Sequence, residues 1–195
     1  MAKSRIIWIV LIVVVLCGLW LSRIYNSLVT ADENVANAWS QVENVYQRRL
    51  DLIPNLVSTV QGAADFERNT LNEVIQARAA ASSINLDAGN LNEANLAAFQ
   101  QAQDGLGQAL SRLMVVIERY PELKANQNFR DLQSQLEGTE NRIAVERNRF
   151  NEAVRIYNTS IRRFPRNMIA GMFGFEAKAY FQADENAHKA PQVQF

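Results

Sequence analysis

Ile6-Ile7-Trp8-Ile9-Val10-Leu11-Ile12-Val13-Val14-Val15-Leu16-Cys17-Gly18-Leu19-Trp20-Leu21 is an unbroken apolar run, and the pattern after it continues at helical spacing well into the polar part of the chain. These sixteen residues rise about 24 Å as a helix, slightly short of a hydrocarbon core of about 30 Å. The flanks make up the difference. Arg5 and Arg23 can extend their charges outward, and Trp8, Trp20 and Tyr25 suit the two interfacial belts. Residues 1–24 therefore read as an amino-terminal anchor, continuous with the first helix of whatever follows.

A cleavable signal peptide is the competing reading, because Lys3, Arg5 and an apolar core are common to both. Val29-Thr30-Ala31 offers small residues for cleavage, but Ser22 and Arg23 intervene and the site lies ten residues past Leu21, which favours retention. Cys17 follows Leu16, where a lipoprotein signal needs a small residue, so it reads as an apolar filler. Lys3, Arg5 and the amino terminus outweigh Arg23, which points the bulk of the chain to the outer side of a bacterial inner membrane.

The chain has 195 residues, with 20 basic and 20 acidic side chains, enough for one domain beyond the anchor. Zero formal charge leaves no basic field for nucleic acid. With its one cysteine in the apolar run, the domain is held by packing without disulfides.

Leu21, Ile24, Leu28, Ala31, Val35, Ala38, Val42, Val45, Arg49, Leu52 and Leu56 recur in alternating steps of three and four, and Trp39, Tyr46 and Ile53 widen this seam into a core-facing stripe. Pro54 is expected to reverse the chain into a second helix through Val60, Ala64, Glu67, Leu71, Val74, Arg78 and Ala81. Residues 82–90 read as a loop. A third helix from near Leu91 carries Phe99, Leu106, Leu113 and Ile117 and ends at Pro121, with 121–126 as a connection. In it Gly105 and Gly107 either weaken the helix or admit a close neighbour. A fourth runs from Phe129 to Phe164, roughly 54 Å. The segment 167–175, with Tyr180 and Phe181 after it, is expected to cap the bundle, or else to offer an apolar patch to the membrane or a partner. The seam of residues 21–31, between membrane and bundle, is expected to be covered by neighbouring copies. The divisions are 1–24 for the anchor, 25–165 for an all-α, antiparallel four-helix-type bundle, and 166–195 for an aromatic segment and polar tail.

Charges interrupt the seams at Arg49, Glu67, Arg78, Glu140 and Arg147, and Glu118 can join them. Left unpaired in a core, one such charge would cost about 3 to 5 kcal/mol, so a polar network that fixes helix register is the first reading. A ligand or ion site inside the bundle is the functional alternative. Inward glutamates such as Glu67, Glu137 and Glu140 suggest a di-iron bundle, but the required Glu-x-x-His pairs are absent, and His188, the single histidine, sits in the tail. Neither a glycine-rich phosphate loop nor a serine nucleophile with a histidine partner is present. Asn158-Thr159-Ser160 matches a glycosylation sequon, but it lies mid-helix.

Several strings together resemble the LemA family of bacterial membrane-anchored proteins: Tyr25-Asn26-Ser27-Leu28-Val29, Ala38-Trp39-Ser40-Gln41-Val42-Glu43, Arg48-Arg49-Leu50-Asp51-Leu52-Ile53-Pro54-Asn55-Leu56-Val57 and Tyr120-Pro121-Glu122-Leu123-Lys124-Ala125-Asn126. Phe150-Asn151 and Tyr157-Asn158, seven apart, and Phe164-Pro165 continue the likeness, while Asp65-Phe66-Glu67 departs from the family's His-Glu pair. The resemblance implies a helical bundle on one transmembrane helix and names no reaction. The resulting expectation is a membrane-anchored interaction or scaffold protein that is not an enzyme and needs no cofactor or metal. Its expected partners are the lipid bilayer, further copies of itself and another envelope protein. Transmembrane signalling is the first alternative and a carboxylate-metal enzyme the second.

Overall fold

The computed structural model describes residues 2–62 and 67–182, so Ala64, Phe66, His188 and the polar tail lie outside the described residues. Six α-helices and no strand occur among them. The first, α1 (Ala2–Gln61), is one helix of 60 residues whose apolar run is entirely exposed and whose seam is buried from Ile24 onward. It is followed by α2 (Arg68–Ser83), a single 3-10 turn (Ala88–Asn90), α3 (Glu93–Ile117), the short α4 (Pro121–Ala125), α5 (Gln127–Arg162) and α6 (Arg166–Phe173).

The expected reversal at Pro54 does not occur, because α1 runs straight through it. Proline has no N–H, which frees the carbonyl of Leu50 four residues earlier from its helical partner. Arg78 Nε on α2 donates to that carbonyl at 2.9 Å, so the hydrogen bond that Pro54 removes is replaced from the next helix. Val60 accordingly belongs to α1, which ends at Gln61, and α2 starts at Arg68. The connection expected after Pro121 is itself helical, with Pro121 in the first turn of α4. Helix α5 starts from Asn126, whose side chain accepts from the N–H groups of Asn128 and Phe129.

The long helices α1 and α5 lie antiparallel along their shared length, and the α2/α3 hairpin packs against their far half. Two apolar cores result. The one nearer the exposed run holds Ile24, Leu28, Val35, Trp39, Tyr46, Phe99, Phe150, Tyr157 and Phe181, with Trp39 edge-on to Phe99 and Phe150. The far core holds Ile53, Leu56, Val60, Val74, Leu106, Leu113, Leu123 and Phe129.

The hairpin reaches the near core only with its tip, through Leu86, Leu91, Leu96 and Phe99, and an extended strap over residues 174–182 packs beside it. Side-chain amides clasp its backbone. Asn158 both donates to the Lys178 carbonyl (2.8 Å) and accepts from the Lys178 N–H (3.0 Å). Asn151 does the same for Phe181 (3.1 and 2.9 Å), and Gln100 for Gln182 (both 3.2 Å). The Tyr157 hydroxyl donates to the Glu176 carbonyl. Trp39 Nε1 donates to the Leu86 carbonyl and thereby ties down the loop between α2 and α3. Leu21 of the seam of residues 21–31 stays exposed, but Leu28 and Ala31 do not need neighbouring copies to cover them. Leu28 is wholly buried and Ala31 packs against the near core, so the chain itself covers the seam from Ile24 to Ala31.

Candidate functional site: the polar waist

Between the two cores the side chains turn polar on three helices at one level. On α1, Arg49 falls between Tyr46 of the near core and Leu50 of the far one. On α3, Gln103 falls between Phe99 and Leu106, and on α5, Thr139 and Glu140 fall between Leu136 and Ile143. Arg49, Gln103 and Thr139 are buried. Arg49 Nη2 pairs with Glu140 Oε1 at 2.8 Å. A Cβ on residue 107 would stand 3.1 Å from the same nitrogen, so Gly107 makes room for the guanidinium, whereas Gly105 faces open space.

A groove of about 780 Å³ opens over this level between α1, α3 and α5, lined by Tyr46, Arg49, Gln103, Glu137, Glu140 and Arg147 among others. A smaller hollow of about 310 Å³ lies against Trp39, Glu43 and Leu86 and shares Tyr46 and Gln103 with the first. At this level two buried side-chain polar atoms have no hydrogen-bond partner among the described residues, the donor Arg49 Nε and the acceptor Gln103 Oε1. Such atoms are rare in folded proteins and suit a small polar ligand that can both accept and donate. Burial pushes the Tyr46 hydroxyl up to about 12, against the pull of Arg147 and Arg49, so it remains a proton donor at neutral pH.

The six charges singled out in the sequence are therefore distributed. Arg49, Glu140 and Arg147 come together at the waist, where Arg147 also donates to the Gln182 carbonyl (2.9 Å) and lies 4.8 Å from the centre of the Phe181 ring. Arg78 serves the Leu50 carbonyl instead. Glu67 pairs with Arg119 (3.3 Å) and Glu118 with Lys124 (2.6 Å), both exposed at the far end. No three His, Cys, Asp or Glu side chains converge as a metal ion would require among the described residues. Two residues went unnoticed in the sequence. Gln103 sits on the apolar stripe of α3 and was visible there as a break, whereas Lys178 carried no signal, although it pairs with Asp32 (2.9 Å) and holds the strap to α1. The buried Asn158 is occupied by the strap, which leaves the sequon no free acceptor.

A family model described as the LemA family matches residues 38–195. Among curated relatives, magnetosome protein MamQ 2 of Paramagnetospirillum magneticum is 30% identical over 179 residues, covering 81% of this chain and 64% of that one. Magnetosome protein MamQ of Magnetospirillum gryphiswaldense is 29% identical over 176 residues, covering 80% of this chain and 64% of that one. Protein LemA of Metamycoplasma hominis is 25% identical over 160 residues, covering 82% and 69% respectively. The chain thus spans 64% of the length of the magnetosome relatives it matches.

Proposed function

The chain belongs to the LemA family, and from that premise we propose a membrane-tethered, non-enzymatic helical bundle that acts by binding, either another envelope protein or a second copy of itself. One observation carries this reading: α1 bears the exposed apolar run on one end and the seam of both cores on the other, so membrane and bundle share a single rigid element. The relatives' names support it in so far as they state a place or a family and no reaction. Because the near seam is filled within the chain, a partner would meet the bundle elsewhere, and the groove of about 780 Å³ at the waist offers it a concave surface. The excess of basic residues before the run over those just after it supports a bundle on the outer face of a bacterial inner membrane.

Crosslinking of the full chain in its native membrane, with products identified by mass spectrometry, tests the reading. A specific self-product or one recurrent second protein is expected, and a chain that stays uncrosslinked at native abundance would overturn it. For orientation, Lys124→Cys in a Cys17→Ser background should react with a membrane-impermeant maleimide from the outer side. Labelling only after the inner membrane is opened would reverse the assignment.

The unpartnered Arg49 Nε and Gln103 Oε1 favour ligand sensing as a second reading, with α1 as the route to the membrane. A small polar metabolite that raises Tm in the intact protein and no longer does so in Gln103→Leu would establish it.

A further inference from the structure

The base of the bundle presents a second apolar surface beside the first. Ile169 and Ala170 of α6 face inward and are buried. On the outward side Met168 and Met172, one helical turn apart, share a face, and Phe164 lies exposed in the turn before α6; Phe164 is 80% and Met172 78% exposed, and Phe173 is exposed next to them. Exposed apolar side chains gathered in this way mark an interaction surface.

The position of this face says what it meets. Phe173 packs at a tilt against Tyr25 with ring centres 4.9 Å apart, and Phe175 meets the same ring edge-on at 5.9 Å. Tyr25 is four residues past Leu21, the end of the apolar run, so α6 sits about 6 Å beyond that end along α1. That is the depth of the headgroup layer for any bilayer that the run crosses. The charge agrees: residues 161–175 contain Arg162, Arg163 and Arg166 and no acidic residue. Methionine and phenylalanine on one side with arginines beside them are what an anionic lipid surface selects.

We propose that the outward face of α6, with Phe164 before it, rests in the headgroup layer of the leaflet from which α1 emerges, so that the bundle is held to the bilayer at two points and its tilt is fixed. This rests on the reading of α1 as the anchor, and the test separates the two.

The full chain is reconstituted into vesicles of phosphatidylcholine and phosphatidylglycerol with an environment-sensitive fluorophore at one cysteine per variant. The sites are native Cys17, Met172→Cys in Cys17→Ser, and exposed Ser134→Cys in Cys17→Ser. The expected result is quenching of the Cys17 label by acyl-chain nitroxides and of the residue-172 label by headgroup nitroxides. The 172 label should be quenched several-fold more than the 134 label and should shift its emission to the blue. Quenching at 17 with 172 no different from 134 overturns the second contact alone. No quenching at 17 overturns the anchor and this proposal together. Shielding at 172 that appears only at high protein-to-lipid ratio, with disulfides between copies, overturns lipid as the occupant in favour of a second copy.

Discussion

Arg78 and Pro54 show how one residue's defect is answered by another that is distant in sequence. The carbonyl of Leu50 has lost its helical donor and is served by Arg78 Nε at 2.9 Å. Arg78→Met should therefore cost about 1 to 3 kcal/mol, the penalty of an unsatisfied backbone acceptor. Pro54→Ala restores an N–H to that carbonyl, so in its background the same change should cost about 1 kcal/mol less, read by urea denaturation as a double-mutant cycle. Equal costs in both backgrounds would mean that Arg78 contributes only by packing. Tyr46 provides a second test at this scale. Its folded hydroxyl is raised from 10.0 to about 12 by burial, so above pH 10 the unfolded chain releases this proton first and the folded state does not. The sign follows: stability is intact below pH 10 and falls by about 2 to 3 kcal/mol as pH rises towards 12. Tyr46→Phe should flatten part of that fall. Burial raises Tyr157 in the same direction, so its contribution will remain in the variant.

Among the elements, the strap depends most on side chains and least on its own backbone pattern. Asn151 and Asn158, two helical turns apart on α5, present their amides to alternate stretches of an extended chain, as a neighbouring strand would. Removing both, as Asn151→Ala/Asn158→Ala, deletes four hydrogen bonds worth about 0.5 to 1.5 kcal/mol each and should release the segment without melting α1 or α5. Hydrogen exchange at the Lys178 and Phe181 amides should accelerate and trypsin should cut after Lys178, while the far-ultraviolet helical signal stays nearly constant. Unchanged protection at those two amides would sink the account. This element also marks where sequence reading stopped. The seam of α1 was legible because three-four spacing is a property of neighbouring residues, as was the seam of α5. Phe150-Asn151 and Tyr157-Asn158 were visible as a repeat, but their purpose was not, since the strap they hold has no periodicity. Pro54 was read as a break for a similar reason: a proline's local preference is written in the sequence, and the donor that compensates for it lies on another helix, 28 residues from the carbonyl it serves. The coverage of Leu28 and Ala31 likewise depends on a segment about 150 residues further along.

For the whole molecule, the question is why two good apolar cores are separated by a charged layer. A buried ion pair is weak evidence for stability and better evidence for a fixed register between helices, and here it joins α1 to α5 at the one level where neither core reaches. The sequence showed the charges, but it could not say that Arg49, Glu140 and Arg147 meet while Glu67 and Glu118 pair elsewhere, because long side chains choose partners across helices. The exposure of the two partners makes a directional test possible. The Arg49 side chain is 5% exposed and that of Glu140 is 50% exposed. Glu140→Ala strands a desolvated guanidinium and should cost about 3 to 5 kcal/mol. Arg49→Leu leaves a carboxylate that water can reach, so the cost should be smaller, about 1 to 3 kcal/mol. If the waist sets register, Glu140→Ala should also broaden the unfolding transition, because the near and far cores would no longer be held in step and could open separately. A sharp transition with equal losses in both variants would mean that the guanidinium is already hydrated through the groove. The waist would then be an open polar site and not a lock between the cores.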